Sequence, residues 1–202
     1  MKISQKEYEL IYGKIPYELK DRIDMLSECK NEKQATKLAK LVELNIKNFK
    51  KIKWKTFKFI WYAVPSTSHR PRVTCAGGYA KIYVPGAAVN KIQFHKFFTN
   101  AYPNFKEIDT PMFVTVHGYL PTPKSFNKLE AILAEMGLIR PWNRLLDTDN
   151  FYKAATDQTI GALMKDDCLI GNIYGYKYYS IKPRIEYHIQ YMEKFPEIIK
   201  KL

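Results

Sequence analysis

The change of hydrophobic period at Lys55 constrains this chain more than any other feature of its sequence. Upstream, apolar residues recur at helical spacing. From Lys55 onward, Phe57, Phe59, Trp61 and Ala63 alternate with Thr56, Lys58, Ile60 and Tyr62, and Pro65 closes the run. Alternation puts one row of side chains on each face of a strand. A helical segment, residues 1–54, should therefore precede a separate sheet-containing domain, residues 55–202.

In the first part, Ser4 with Glu7 fits a capping box and Gly13 suits the end of a short helix. Pro16 fits a first helical turn, with Leu19, Ile23 and Leu26 on one face of the helix after it. Asn31 is placed to cap a third helix containing Leu38, Leu41, Val42 and Ile46, which closes in the basic run KNFKKIKWK. Downstream, Gly77-Gly78 marks a hairpin turn with a returning strand to Val84. A helix is expected over 87–101 and a strand from Met112 to Leu120. A further helix should be capped by Ser125 and stopped at Gly137. Asn150 is a favourable cap for a helix from Phe151 to Ile160, with Gly161 at its end. Strands follow from Cys168 to Tyr178 and from Arg184 to Ile189. Helices and strands mixed in this way, with no sustained βαβ rhythm, predict an α+β fold built on a small mixed sheet.

Composition narrows the function. Of 202 residues, 33 are basic and 20 acidic, a formal net charge of +13 that favours a polyanionic partner such as nucleic acid. No apolar run is long enough for a membrane span, and MKISQKEYELIYGKIP lacks the apolar core of a secretory signal. Cys29, Cys75 and Cys168 form neither a CxxC pair nor a disulfide framework, so a reducing, cytoplasmic setting is expected.

Against this basic background, LLDTDNFYKAATDQTIGALMKDDCLI carries Asp147, Asp149, Asp157, Asp166 and Asp167 around Lys153. In an extended segment, Asp147 and Asp149 would share a face and repel one another unless a cation neutralised them. Mg²⁺ prefers such oxygen donors. Asp166 and Asp167 precede a strand, where neighbours face opposite ways, so one of the two should join that pair. Two plainer readings stand beside this one. Carboxylates before a helix are ordinary capping groups, and Lys153 with Asp157 forms an ordinary i, i+4 surface pair. His117, inside a strand, reads as a hydrogen-bonded structural histidine. Trp54, Trp61 and Trp142 are candidate stacking surfaces for bases, with Trp61 better suited to the core.

The run DTDNFYKAATDQTIGALMKDDCLI resembles the signature of RusA-like Holliday-junction resolvases: D-x-D-N-x-x-K, an Asp four residues on, and D-D before a strand. PSTSHRPR is similar to that family's basic loop after the first strand, and Lys177 matches a lysine on the strand that follows. Leu169 departs from the pattern, standing where a polar residue usually follows the D-D pair. The resemblance covers about residues 55 to 190.

It implies a Mg²⁺-dependent endodeoxyribonuclease of phages and bacteria, with Mn²⁺ a plausible substitute and no small-molecule cofactor. Such an enzyme acts as a homodimer on four-way DNA junctions. It implies Asp147, Asp149 and Asp167 as metal ligands, Lys153 as the catalytic lysine, and Asp157 as a further acidic position. His69, Arg70, Arg72 and Lys177 are the candidate DNA contacts. Two rival readings are a non-catalytic DNA-binding or recombination accessory protein that keeps the fold, and a nuclease acting on forks or flaps.

Overall fold

The computed structural model describes residues 32–66, 72–76, 79–83, 87–142, 147–195 and 197–198. The helices expected before Asn31, the Gly77-Gly78 turn, and His69 and Arg70 lie outside these residues. The chain divides into two compact units, Met1–Lys53 with Glu193–Leu202, and Trp54–Met192. In the first, α1 (Glu32–Lys50) buries Ile46, and Glu193 N donates to Lys53 O at 2.8 Å.

The second unit is α+β. Its main sheet holds β1 (Trp54–Trp61), β6 (Arg184–Met192), β4 (Met112–Pro121) and β5 (Ile170–Ser180), in that spatial order. β6 is antiparallel to both β1 and β4, whereas β4 and β5 run parallel. A separate antiparallel pair joins β2 (Arg72–Ala76) to β3 (Tyr79–Tyr83). Parallel neighbours need a long crossover. Here it carries α3 (Lys128–Glu135) and α4 (Thr148–Asp157). α2 (Ala87–Ala101) precedes β4.

The alternation at Lys55 becomes one buried face of the sheet. Phe59 and Trp61 join Val114 and Val116 of β4 and Ile185, Tyr187 and Ile189 of β6 in the core. α2 adds Phe94 and Phe98, whose rings lie 5.6 Å apart and nearly parallel. Phe57 packs on Phe105 at 4.6 Å and edge-on to Tyr102 at 5.2 Å. On the opposite face of the sheet, His117 stacks on Tyr176 and Tyr178 at 4.9 and 6.0 Å. Arg184 covers Tyr119 at 3.7 Å and Arg140 covers Tyr178 at 4.7 Å. Polar and aromatic side chains with a solvated side suit a sheet packed on one face only.

Two caps differ from the sequence expectation. α3 begins after Asn127, not Ser125: Asn127 Oδ1 accepts from Glu130 N at 2.9 Å, and Glu130 Oε2 accepts from Asn127 N at 2.8 Å. This reciprocal box satisfies two orphan donors, which an isolated serine two residues earlier does not. α4 begins after Asp147, not Asn150, and Asn150 Nδ2 donates to Asp147 Oδ2 at 3.3 Å. Gly137 follows the end of α3 with φ of 75°, as expected, whereas α4 ends earlier than expected, at Asp157 with Gln158 as its C-cap, and Gly161, with φ of 86°, lies beyond it.

The seating of α4 rests on two glycines. A Cβ on Gly118 of β4 would stand 2.5 Å from Phe151 Cζ, and one on Gly175 of β5 would stand 1.6 Å from the Tyr152 ring. Neighbouring strands thus leave space for two consecutive aromatic residues of one helix. Phe151 is fully buried, so its ring has little freedom to retreat. Gly118→Ala should lower stability by about 1–3 kcal/mol, the usual cost of overpacking. Thermal unfolding followed by circular dichroism would show this as a Tm several degrees lower. An unchanged Tm would mean that the ring has room to move.

Candidate active site

α4 presents two chemically different faces. Successive residues advance by about 100° around a helix, so Phe151, Ala155 and Gln158 share the face toward the sheet, and all three are buried. Asp149, Lys153 and Asp157, at i, i+4 and i+8, lie along the other side. Asp149 and Lys153 are exposed and Asp157 is half-buried. The result is a carboxylate–ammonium–carboxylate row on the surface of a basic domain.

Asp157 is where this row meets the rest of the chain. Burial pushes its carboxyl above the ordinary range; Lys153 opposes the shift, Asp167 adds to it, and Lys91 opposes it again. Charged groups from α4, α2 and the 3₁₀ turn before β5 are therefore within electrostatic reach of Asp157. Sequence reading missed Lys91. Its helix has no acidic or motif-bearing neighbour to single it out. Its relation to Asp157 arises only because α2 and α4 pack on the same side of the sheet.

The segment between Asp157 and Asp167 is tied down by backbone bonds. Gly161 N donates to Met164 O at 2.8 Å, Ile108 N to Leu163 O at 2.9 Å, and Lys165 N to Ile108 O at 3.0 Å. His95 Nε2 lies 3.0 Å from Ile160 O, and Thr159 Oγ1 donates to Thr156 O at 2.6 Å. These contacts tie the chain after α4 back to Ile108 and to α2. Asp166 has a separate task. Its carboxylate accepts from Cys168 N at 2.9 Å, capping the short 3₁₀ turn Asp167–Leu169, and this bond holds its carboxyl below the usual range. The same carboxylate pushes the exposed Cys168 thiol up, away from nucleophilic chemistry at neutral pH.

The sequence expected Asp147, Asp149 and Asp167 to hold one metal ion together. Among the described residues, no three His, Cys, Asp or Glu side chains stand as a group that could hold a metal. Asp147 is the N-cap and Asp149 is already in the first turn of α4, so the i, i+2 rule for extended chain does not apply between them. Asp167 is within electrostatic reach of Asp157, the last residue of α4. The donor type nonetheless suits a small, hard divalent cation, since every candidate ligand is a carboxylate oxygen. Asp157 and Asp167, like charges within electrostatic reach of each other, would also be relieved by a cation.

The remaining expected residues are placed as follows. Arg72 opens β2, the strand after the basic loop. Lys177 is on β5, paired in register with Gly118, and so on the side of the sheet that seats α4. Trp61 is in the core, Trp54 stacks on Phe113 at 5.1 Å, and Trp142 is 85% exposed. His117 faces away from α4, opposite Glu186 in the β4–β6 register, and it sits in the ring stack already described.

A basic α+β domain carries the charge that favours a polyanionic partner. Residues 63–190 match the family described as Endodeoxyribonuclease RusA. The match spans more than half of the chain, and the chain belongs to this family. It is also 30% identical over 135 residues to "Uncharacterized protein YqaN" of Bacillus subtilis (strain 168), covering 66% of this chain and 94% of that protein. Among the described residues, no helix is long and apolar enough to cross a membrane.

The position of His117 has a consequence that can be measured. Burial lowers its pKa, against the pull of Glu186 and with a smaller push from His188, and burial lowers His188 as well. A histidine with a depressed folded pKa takes up its proton more readily when unfolded. Stability should therefore be greatest above the ordinary histidine value of about 6.5 and fall as pH drops toward the lower folded value. Thermal melts between about pH 7.5 and pH 5 should show this fall, and His117→Gln should flatten it. A steeper acid loss in the variant would show that the ring is protonated in the fold.

Proposed function

We propose that this chain is a Mg²⁺-dependent endodeoxyribonuclease that resolves four-way DNA junctions, with Mn²⁺ as a substitute ion, and that it works as a homodimer. One observation carries the reading: the D-x-D-N-x-x-K segment of a RusA-family chain puts Asp149 and Lys153 on an exposed helix face, with Lys153 one turn from both Asp149 and Asp157. A surface pair between Lys153 and Asp157 alone would not account for Asp167 within electrostatic reach of Asp157.

Asp147, Asp149 and Asp167 would hold the ion, and Asp157 would complete the anionic neighbourhood. Three like charges gather readily only when a cation neutralises them. The bound ion would supply Lewis-acid polarisation of the scissile phosphate and a more acidic water. Lys153, the ammonium in the middle of the row, stabilises the negative charge that develops on the phosphate as water attacks. The oxygen of water bonds to phosphorus and the P–O3′ bond breaks, giving a 5′-phosphate and a 3′-hydroxyl. His69, Arg70, Arg72 and Lys177 contact backbone phosphates, which position the substrate without reading its sequence.

Cutting two strands of like polarity symmetrically requires two equivalent sites, and a two-fold homodimer provides them most simply. Each site is anionic, so the excess positive charge around it must hold the phosphates. Junction affinity should consequently fall steeply with salt. Sedimentation at micromolar concentration in low salt should give a dimer. A monomer that cuts both strands within one binding event would exclude this assembly.

Asp149→Asn should abolish cleavage of a synthetic four-way junction in Mg²⁺ while leaving junction Kd unchanged or tighter, because it removes both a ligand and a charge that repels phosphate. Parallel loss of binding and cutting would remove Asp149 from that role. Lys153→Ala should lower kcat by roughly 10²-fold or more with little change in Kd. Weaker binding with normal turnover would make Lys153 a phosphate contact only. Fork, flap and duplex substrates assayed alongside, with and without Mg²⁺, separate a junction resolvase from a fork or flap nuclease. Absence of Mg²⁺-dependent cutting on every substrate would indicate an accessory DNA-binding protein.

A further inference from the structure

The buried side of α4 contains a directional contact that the catalytic reading does not use. Tyr187 of β6 is 2% exposed, and its ring lies flat on Phe59 at 4.6 Å and tilted against Phe94 at 6.1 Å. Its hydroxyl donates to Ala155 O at 2.9 Å and accepts from Gln158 Nε2 at 2.6 Å. Gln158 is itself 4% exposed. Ala155 O is one of the last carbonyls of α4, which lack donors within their own helix. The amide that would ordinarily reach it, Thr159 N, donates instead to Thr156 O at 2.9 Å. The tyrosine hydroxyl therefore completes the C-terminal end of the helix from the middle of the sheet.

We propose that Tyr187 is a positioning residue, which fixes the axial and rotational placement of α4 and so of Lys153 and the aspartates on its outer face. Ala155 and Gln158 lie nearly opposite Lys153 around the helix, given about 100° per residue. The other grip on α4 is the seating of Phe151 and Tyr152 over Gly118 and Gly175. Apolar packing is non-directional and permits small slides, whereas a hydrogen bond weakens steeply with misalignment. Burial pushes the Tyr187 hydroxyl far up in pKa, so it remains a donor throughout the range in which cleavage is measurable. A displacement of about 1 Å at a reacting group can cost about 10²-fold in rate, so a single hydroxyl behind the helix suffices to matter.

The inference rests on the proposed nuclease reading, and its test separates the two. Tyr187→Phe keeps the ring and removes the hydroxyl, and Gln158→Met keeps the shape and removes the amide that orients it. Cleavage is measured well below each variant's Tm, alongside junction Kd and hydrogen–deuterium exchange. In Tyr187→Phe, kcat should fall by about 10–100-fold with Kd unchanged, and α4 amides should exchange faster while those of β4 do not. Gln158→Met should move both in the same direction by less, and it carries the test alone if Tyr187→Phe does not fold. A lower Tm with wild-type kcat and unchanged α4 exchange would reduce Tyr187 to a core residue and overturn the proposal. Wild-type protein that cuts no DNA would defeat the nuclease reading, while the exchange comparison would still decide whether Tyr187 anchors α4.

Discussion

The fit of Phe151 and Tyr152 into the spaces left by Gly118 and Gly175 is the contact on which the candidate site depends. β4 and β5 are parallel neighbours, so the chain must cross over between them, and α4 is the last helix of that crossover. A helix lying on strands needs close approach somewhere, and glycine allows it at the cost of strand propensity. The two glycines occupy neighbouring strands, and the residues they admit are consecutive in the helix. Once Phe151 and Tyr152 point inward, the helical period obliges Asp149, Lys153 and Asp157 to point outward. The direction of this face is thus set by the packing of the opposite face.

Electrostatics works against this arrangement and then makes it useful. Asp147 and Asp149 sit at the positive end of the α4 dipole, where carboxylates are favoured. Asp157 sits at the other end, where the dipole disfavours a negative charge, and burial together with Asp167 raises its pKa further. Lys153 and Lys91 offset part of that cost. A site that holds carboxylates under mutual repulsion responds strongly to a cation, because binding removes several unfavourable terms at once. The surrounding basic charge brings phosphate to the same place by a longer-range force.

Much of the fold was legible in the sequence because its signals are local. The alternation from Phe57 to Trp61 specified β1 and its buried face, and Gly137 marked a helix end that the structure has at positive φ. The caps were less legible because several residues could serve. Ser125 and Asn127 both precede a helical pattern, and only Glu130 three residues after Asn127 decides between them. The acidic motif showed which residues matter without showing how they sit. Reading Asp147 and Asp149 as extended chain moved the start of α4 by three residues, and with it the direction of both carboxylates. Lys91, Tyr187 and Gln158 were beyond reach, since each acts through a contact between elements distant in sequence.

Placing α4's first residue at Thr148 instead of Phe151 also changes what Asn150 can do. As a cap, Asn150 would have spent its side chain on backbone amides of the first turn. Inside the helix, its amide donates to Asp147 Oδ2, and Asp147 makes no capping bond of its own. The first turn is therefore left with backbone donors that no described side chain at the cap position claims. Such donors beside a basic surface favour an anion, while the flanking carboxylates favour a cation. A phosphodiester with its metal ion is a substrate that carries both charges. The D-x-D-N order places two acceptors, Asp147 and Asp149, and the neutral donor Asn150 at the helix entrance.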